Sequence, residues 1–497
     1  MQNTPHIRAC VPTTDPIAHP TSMTHPFKRT FPAVAVALLA GCSLIPAYER
    51  PPAPVATQWP APQIATQAQV PASELHWADF VGDASLRELI RLALVNNRDL
   101  RVAVLAIEQA RATWQVRRAD QFPTVGLGAT AIAQPNTGGK GGTNTAYTAG
   151  VSANSLAGTG WEIDFFGRLD SLKEAARAQY LATEDARWAV QASLIASVAT
   201  VWLNLQTNDQ LLTLTQRTLA TRGDSLRLTR LRLENGAASA LDFRQAESLS
   251  AGARAAMQQQ QRLRALDVNA LTLLVGQPLP VTLLKTVDTT IGSPFREVPA
   301  GLPSDLLERR PDIRQAEEQL IAANANIGAA RAAFFPRISL TGSYGTASSG
   351  LNNLFQSGFL GGTLAGQLLQ PIFDAGRNEA NLTSTKAARD IAVAQYEKSI
   401  QTAFREVADA LAGRATLGEQ LAAQQAQVDA ETDRFRLADL RYRNGISSYL
   451  EVLDAQRSLF AFQLALAQVR LAYLQNQVAL YKALGGGTAT VTAATTH

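Results

Sequence analysis

Glu162 and Asp164 stand two residues apart in Trp161-Glu162-Ile163-Asp164-Phe165-Phe166-Gly167-Arg168, and paired carboxylates are raw material for general acid–base chemistry. Their neighbours are aromatic, with no histidine and no glycine-rich phosphate loop. Of the five histidines only His76 and His497 lie beyond residue 41, one in a linker and one at the terminus. Histidine catalysis and a histidine metal cluster therefore have no material. A soft-metal path would use thiolates and thioethers, and beyond residue 41 the chain offers Cys42 and Met257, which argues against copper specialisation. A mixed-sign set, Asp433, Arg436, Asp439, Arg441 and Arg443, is suited to ion pairing and not to bond-making. The expectation is no enzyme, no metal and no cofactor beyond a covalent lipid.

That lipid would sit on Cys42. Lys28-Arg29 are followed by an apolar run of about nine residues, Phe31 to Leu39, and then by Ala40-Gly41-Cys42. This order reads as a secretory signal peptide, too short to span a bilayer as a helix. Leu39-Ala40-Gly41-Cys42 resembles the bacterial lipobox, which implies cleavage before Cys42 and acylation of it. Ser43, in place of a retention aspartate, implies the outer membrane. Met1 to Ser22 is proline-rich without apolar periodicity, and translation is expected to begin at Met23. Loss of Arg8, Asp15, Lys28 and Arg29 takes the formal charge from +4 to +2, so the pI near 9.1 marks no basic patch and no nucleic-acid partner. One remaining cysteine gives no disulfide framework.

The elements that must carry these residues are long. Arg168 to Leu233 has no proline and one glycine, Gly223, and as a helix would reach roughly 100 Å. Leu205, Leu212, Leu219, Leu226 and Leu233 recur every seventh residue, the period of a helix packed lengthwise on others. The positions between them are mixed, because Asn208, Thr215, Arg222 and Thr229 are polar, so a plain two-stranded zipper fits poorly. Asn235-Gly236 is a stop signal, Ser239 can cap the next start, and a return helix is expected over 241–275.

The unit occurs twice. Leu231 to Gly236 is answered by Leu440 to Gly445, and Asp164 to Arg168 by Phe373 to Arg377, both 209 residues on. Phe122-Pro123 matches Phe335-Pro336 and Asp99 matches Asp312 at an offset of 213, so this is a tandem duplication of a large unit. Ahead of each long helix lies a proline-started stretch of weak alternation. Val125, Leu127, Ala129, Ala131 and Ala133 precede the turn Gly138 to Gly142, and Tyr147, Ala149, Val151 and Ala153 follow it. The second copy repeats the pattern over 336–369. Small-residue alternation of this kind suits membrane-barrel strands.

Four strands cannot close a barrel, since about eight is the smallest number that does, so several chains must pool theirs. The long helix nearly equals the return helix plus the shorter helix leading into the hairpin, so two short helices could stack end to end beside it. Every helix then finds partners in a cylinder of side-by-side helices.

Leu39 to Cys42, Trp161 to Arg168, Gln370-Pro371-Ile372-Phe373-Asp374-Ala375-Gly376-Arg377, Arg441 to Gly445 with Leu453-Asp454-Ala455-Gln456-Arg457, and Leu480-Tyr481-Lys482-Ala483-Leu484-Gly485 together resemble the TolC-type outer-membrane efflux channels, in their OprM-like lipoprotein branch. The resemblance implies a mixed α and β membrane protein: a homotrimer with a twelve-stranded outer-membrane β-barrel, four strands per chain, continuous with a twelve-helix periplasmic α-barrel. It implies an exit duct for an inner-membrane, proton-driven RND-type transporter, joined through a periplasmic adaptor and carrying drugs, solvents or other small organics. Type I protein secretion, metal-ion efflux and a structural envelope lipoprotein are the alternatives. The expected organisation is signal peptide 1–41, lipidated tether 42–82, first repeat 83–276 with hairpin 123–154 and long helix 168–233, and equatorial connector 277–302. The second repeat is expected over 303–485, with long helix 377–443 and return helix 447–484, ahead of a tail at 486–497. Adaptor contacts are expected at the far turns: Asn235, Gly236, Ala237, Ser239 and Leu241, with Asn444, Gly445, Ile446, Ser447, Ser448, Tyr449 and Leu450. Asp433, Arg436, Asp439, Arg441 and Arg443 are the candidate periplasmic gate.

Overall fold

The computed structural model describes residues 43–60, 70–135, 143–153, 160–284, 293–356 and 360–488. Cys42, the leader before it, the turn Gly138 to Gly142 and residues 489–497 of the tail lie outside them. The first copy comprises α1 (Trp77–Phe80), α2 (Ala84–Asn96), α3 (Arg98–Ala119), β1 (Val125–Pro135), β2 (Thr143–Ala153), β3 (Trp161–Ile163), α4 (Arg168–Glu234) and α5 (Ala240–Val275). The second comprises α6 (Asp305–Arg309), α7 (Pro311–Ala332), β4 (Arg337–Ser348), β5 (Leu360–Leu369), α8 (Arg377–Arg443) and α9 (Tyr449–Ala483). Both long helices have 67 residues.

Each long helix starts on a left-handed glycine, Gly167 at φ 67° and Gly376 at φ 83°. An aspartate just before it satisfies the free amides of the first turn. Asp164 Oδ2 accepts from Asp170 N at 2.7 Å, and Asp374 accepts from Gly376 N at 3.0 Å and Asn378 N at 2.9 Å. Glu162 forms a two-point pair with Arg168, both contacts at 2.7 Å. The two carboxylates whose spacing suits an acid–base pair are thus a helix cap and a clamp across the strand-to-helix bend.

The short helices stack end to end as the lengths require. Asn97 Nδ2 donates to Leu274 O at 2.9 Å while its Oδ1 caps α3 through Leu100 N, which splices the end of α5 to the start of α3. In the second copy the buried Arg310 donates to Ala483 O at 3.0 Å and splices α9 to α7. Arg310 is held by Asp312 at 2.6 Å and Glu406 at 2.8 Å. α4 packs against α3, α5 and α7, and α8 against α7 and α9.

The principal core lies at the level of these joints. Phe80 is stacked between Tyr481 (3.9 Å) and Phe295 (5.1 Å). Leu86, Leu89, Ile90, Val198, Trp202, Leu205, Leu271, Ile313 and Tyr396 are buried around it. α4 contains a stretch long and apolar enough to cross a membrane by composition, but half of that stretch is buried inside the chain. The connector contributes a 3₁₀ turn, Val281–Leu284, and a bridge from Phe295 to Val81.

Two features differ from the sequence-based reading. Leu212, Leu219, Leu226 and Leu233 are half-buried, whereas Thr215 and Thr229 are buried with their hydroxyls turned back onto α4 carbonyls at 2.9 Å. Arg222, on the same stripe, is buried, donates to Leu249 O and lies over the Phe460 ring. The segment after Cys42, expected as an extended tether, is extended and also docked along α7, which its composition did not indicate. Arg331 donates to Leu44 O, Asn324 to Pro46 O, and Glu317 accepts from Tyr48 and from both sides of the Arg50 fork.

Candidate functional site

The candidate functional residues lie towards the two ends of the long helices. At one end the strands form an antiparallel sheet in the order β1-β2-β4-β5, with β3 pairing the same edge of β4 as β2 does. The registers Leu127↔Val151, Val151↔Tyr344 and Ile338↔Leu368 place side chains of like character opposite one another. One face therefore carries Val125, Leu127, Ala129, Val151, Leu340, Tyr344, Leu364 and Leu368. The other carries Thr130, Thr148, Ser343 and Thr363, paired across strands at 2.5 Å and 2.6 Å. Leu127, Leu364 and Leu368 are 78%, 76% and 64% exposed, a row that water would not leave open. An apolar face, a hydroxyl face and two open edges are the makings of a barrel segment.

At the base of the sheet Phe166 stacks on Phe335 at 4.7 Å. The corresponding bend in the second copy has Ala375 at φ 54°, and Ile372 and Phe373 are almost fully exposed. No group of three or more histidine, cysteine or acidic residues placed to hold a metal occurs among the described residues.

At the opposite end, roughly 100 Å along the helices, the two turns are built alike. Gly236 (φ 71°) and Gly445 (φ 73°) take the left-handed conformation. Ala237 N reaches back to Arg232 O at 2.7 Å, and Ile446 N to Arg441 O at 2.9 Å. Asn235 and Asn444 each donate to the carbonyl four residues earlier at 2.7 Å. Ser239 forms a capping box with Asp242, while Ser448 makes no side-chain cap and the Ser447 hydroxyl is buried without a partner. Leu241, Ile446 and Leu450 are 67%, 68% and 55% exposed. The partly buried Tyr449 ring packs on Tyr442 at 5.0 Å, beside Phe435, Ala438, Val452 and Ala455, and so supports the tip from within.

The five candidate gate residues pair locally. Asp439 meets Arg443 at 2.7 Å, Asp433 meets Arg436 at 3.2 Å, and Arg441 meets Glu451 at 3.8 Å. What joins the first tip to the second is Arg232, whose guanidinium lies over the Tyr442 ring and reaches its hydroxyl. Sequence reading missed this contact, because 210 residues separate the partners.

An amphipathic open sheet continuous with paired helices of this length defines the subunit of a membrane channel with a long aqueous extension. The family model described as outer membrane efflux protein matches residues 89–277 and 302–486, once per repeat. Over 465 residues, 92% of this chain and 94% of theirs, the chain is 49% identical to two proteins of Pseudomonas putida, the toluene efflux pump outer membrane protein TtgC and the antibiotic efflux pump outer membrane protein ArpC. The crystal structure of the open state of the MtrE outer membrane channel of Neisseria gonorrhoeae superposes with a TM-score of 0.80 at 38% identity, covering 90% of this chain and 99% of that one. The chain belongs to the outer membrane efflux protein family. Its fold is the mixed α and β fold of these trimeric channels, set in the outer membrane and extending into the periplasm.

Proposed function

We propose that three copies of this chain form the exit duct of a tripartite pump that expels antibiotics, aromatic solvents and similar small organics, the cargoes for which the relatives are named. The observation that carries the reading is the sheet: four long strands and the short β3, apolar on one face and hydroxyl-lined on the other, continuous with the long helices and with the outer edges of β1 and β5 unpaired among the described residues. The exposed apolar residues at the far turns, Leu241, Ile446 and Leu450, suit an end-on periplasmic adaptor that links the duct to a proton-driven inner-membrane transporter. Asp433, Arg436, Asp439, Arg441 and Arg443 set the width and ion preference of the periplasmic entrance. Exposed pairs such as Asp439 with Arg443 contribute only about 0–1 kcal/mol each, so adaptor contact can part them. Acylated Cys42 adds a lipid anchor whose burial contributes about 0.8 kcal/mol per methylene.

The direct test is conductance of the purified protein in planar bilayers together with accumulation of a toxic aromatic solvent in a deletion strain. Channels in the first and raised accumulation in the second are expected. A protein that inserts no channel would leave a structural envelope role as the better reading. Leu241→Asp with Ile446→Asp should leave channel formation intact and abolish cross-linking to the adaptor, and unchanged cross-linking would remove these residues from the contact. Mass spectrometry of the mature N-terminus decides the lipid.

A further inference from the structure

The strands meet the long helices at a neck where arginines outnumber the carboxylates that hold them. Inside one chain a groove runs between the starts of α4 and α8 and the end of α7, lined by Arg168, Asn326, Ala330, Asn381, Ser384 and Arg337. Two arginines enter it and one carboxylate answers. Glu162 holds Arg168 through two contacts at 2.7 Å, whereas Arg337 is exposed and makes no ion pair among the described residues.

Three observations turn this groove towards the lumen. Arg337 shares strand parity with Ser339, Thr341 and Ser343, on the hydroxyl face that is turned away from the exposed leucines. Glu162 lies opposite Ser339 in the β3–β4 register, so the clamp on Arg168 belongs to the same face. On α7, Asn326 and Ala330 stand half a turn round the helix from Glu317, Asn324 and Arg331, which hold the segment leading from Cys42. A segment leading to the membrane anchor proposed above runs outside the duct, so the opposite side of α7 looks in.

The repeat supplies an equivalent groove between α8 of one copy and α3 of the next, with its charges exchanged in a compensating way. Arg377 is the counterpart of Arg168, but Pro371 stands where Glu162 would clamp it, and Arg377 is exposed without an ion pair among the described residues. Thr124 takes the place of Arg337 and brings no charge. Arg117 and Asp120, the counterparts of Ala330 and Ala333, pair with each other at 3.3 Å. Arg377 lies one turn before Asn381 on the same side of α8 as Ser384, whereas Glu379, the acid of that first turn, projects from the far side. Each groove is therefore left with one arginine in excess. The first keeps two arginines and a clamp, and the second loses one arginine and the clamp together.

We infer that the neck is a collar of six unpaired arginines, Arg337 and Arg377 from each of three copies, that draws organic anions such as carboxylates and sulfonates into the barrel ahead of cations. The inference rests on the trimeric-duct reading above and adds a charge preference among its small organic cargoes. Positive side chains round a water-filled lumen raise the local concentration of anions within about one screening length of the wall, ~10 Å at 0.1 M salt. Conduction needs attraction strong enough to enter and weak enough to leave. Exposed guanidinium groups with no fixed carboxylate supply it.

Charge-selective thiol labelling reads the potential at the collar itself, apart from the charges at the periplasmic entrance. Ser339→Cys places a thiol on the lumen face two residues from Arg337, roughly 7 Å along the strand. At 0.1 M salt the rate ratio of a negatively charged to a positively charged methanethiosulfonate should fall about two- to threefold when Arg337→Gln and Arg377→Gln are added, the effect of a unit charge at that distance. Arg337→Lys with Arg377→Lys should keep the parent ratio, and 1 M salt should erase the difference. Protein without Ser339→Cys sets the background from its own cysteines, and Arg337→Gln alone carries the test should the double variant not assemble. An unchanged ratio in the glutamine variants overturns the collar. So does an equal fall in the lysine variant, which would trace the change to shape and not to charge. A parent protein that forms neither trimers on native gels nor conducting channels overturns the duct reading itself.

Discussion

A methyl group on Gly276 would stand 2.4 Å from the carbonyl oxygen of Asn96, at a residue whose φ of 76° already excludes most side chains. That glycine lets the end of α5 abut the start of α3, and Gly485 does the same for α9 against Arg309, at 2.9 Å. Gly276→Ala should cost about 1–3 kcal/mol through strain and forced separation, and Gly485→Ala less. Heat-induced loss of the trimer band measures both. Asp267 shows a second residue-scale effect: burial, with the charge of Asp209 nearby, holds its carboxyl above the usual range despite the hydrogen bond from Asn208. An acid whose folded value is raised binds its proton more tightly folded than unfolded. Ionisation therefore costs stability above the folded value, and the cost disappears as pH falls towards the unfolded one. Asp267→Asn keeps the acceptor for Asn208 and should raise the thermal midpoint at neutral pH, with the gain shrinking on acidification. A gain independent of pH would trace the effect to something other than this charge.

At the scale of elements, helix lengths and the repeat were legible because proline, glycine and matching offsets punctuate the chain: α4 and α8 begin at the arginines that close the two matched segments. The choice of stripe was not legible. A seven-residue period says that a helix is packed along its length, not which neighbour takes which side. Thr215 and Thr229 satisfy their hydroxyls on their own helix and so bury like small apolar residues, leaving the leucines half-open. The packing of Tyr449 was not legible for a related reason, since exposure at a turn depends on the helix opposite. Removing its ring should loosen the end of α8, where Arg441 and Arg443 offer trypsin sites. Tyr449→Ala should speed cleavage there several-fold, while Ile446→Asp, on a 68% exposed side chain, should not. Equal rates for the two variants would show that the aromatic pair does not hold the tip.

For the whole molecule, the difference between equivalent helices is the measure of what one chain lacks. α7 lies between two long helices and buries Ile313, Leu320, Ala325 and Ile327, whereas α3, its counterpart, packs on α4 and leaves Val102, Leu105 and Val116 more than half exposed. One chain is thus a closed internal joint with two open copies of it at its flanks. A substitution on an open flank distinguishes folding from assembly. Ile391 is exposed in the single chain, where a surface change alters stability by about 0.5 kcal/mol or less. Under a neighbour's α3, an aspartate would be stripped of water in place of an apolar contact, and desolvating a charge costs several kcal/mol unless its pairing geometry is excellent. Ile391→Asp should therefore leave helical content by circular dichroism unchanged and sharply reduce trimers on native gels, while Ile391→Val retains both. Normal trimers from the aspartate variant would show that this face of α8 stays in water.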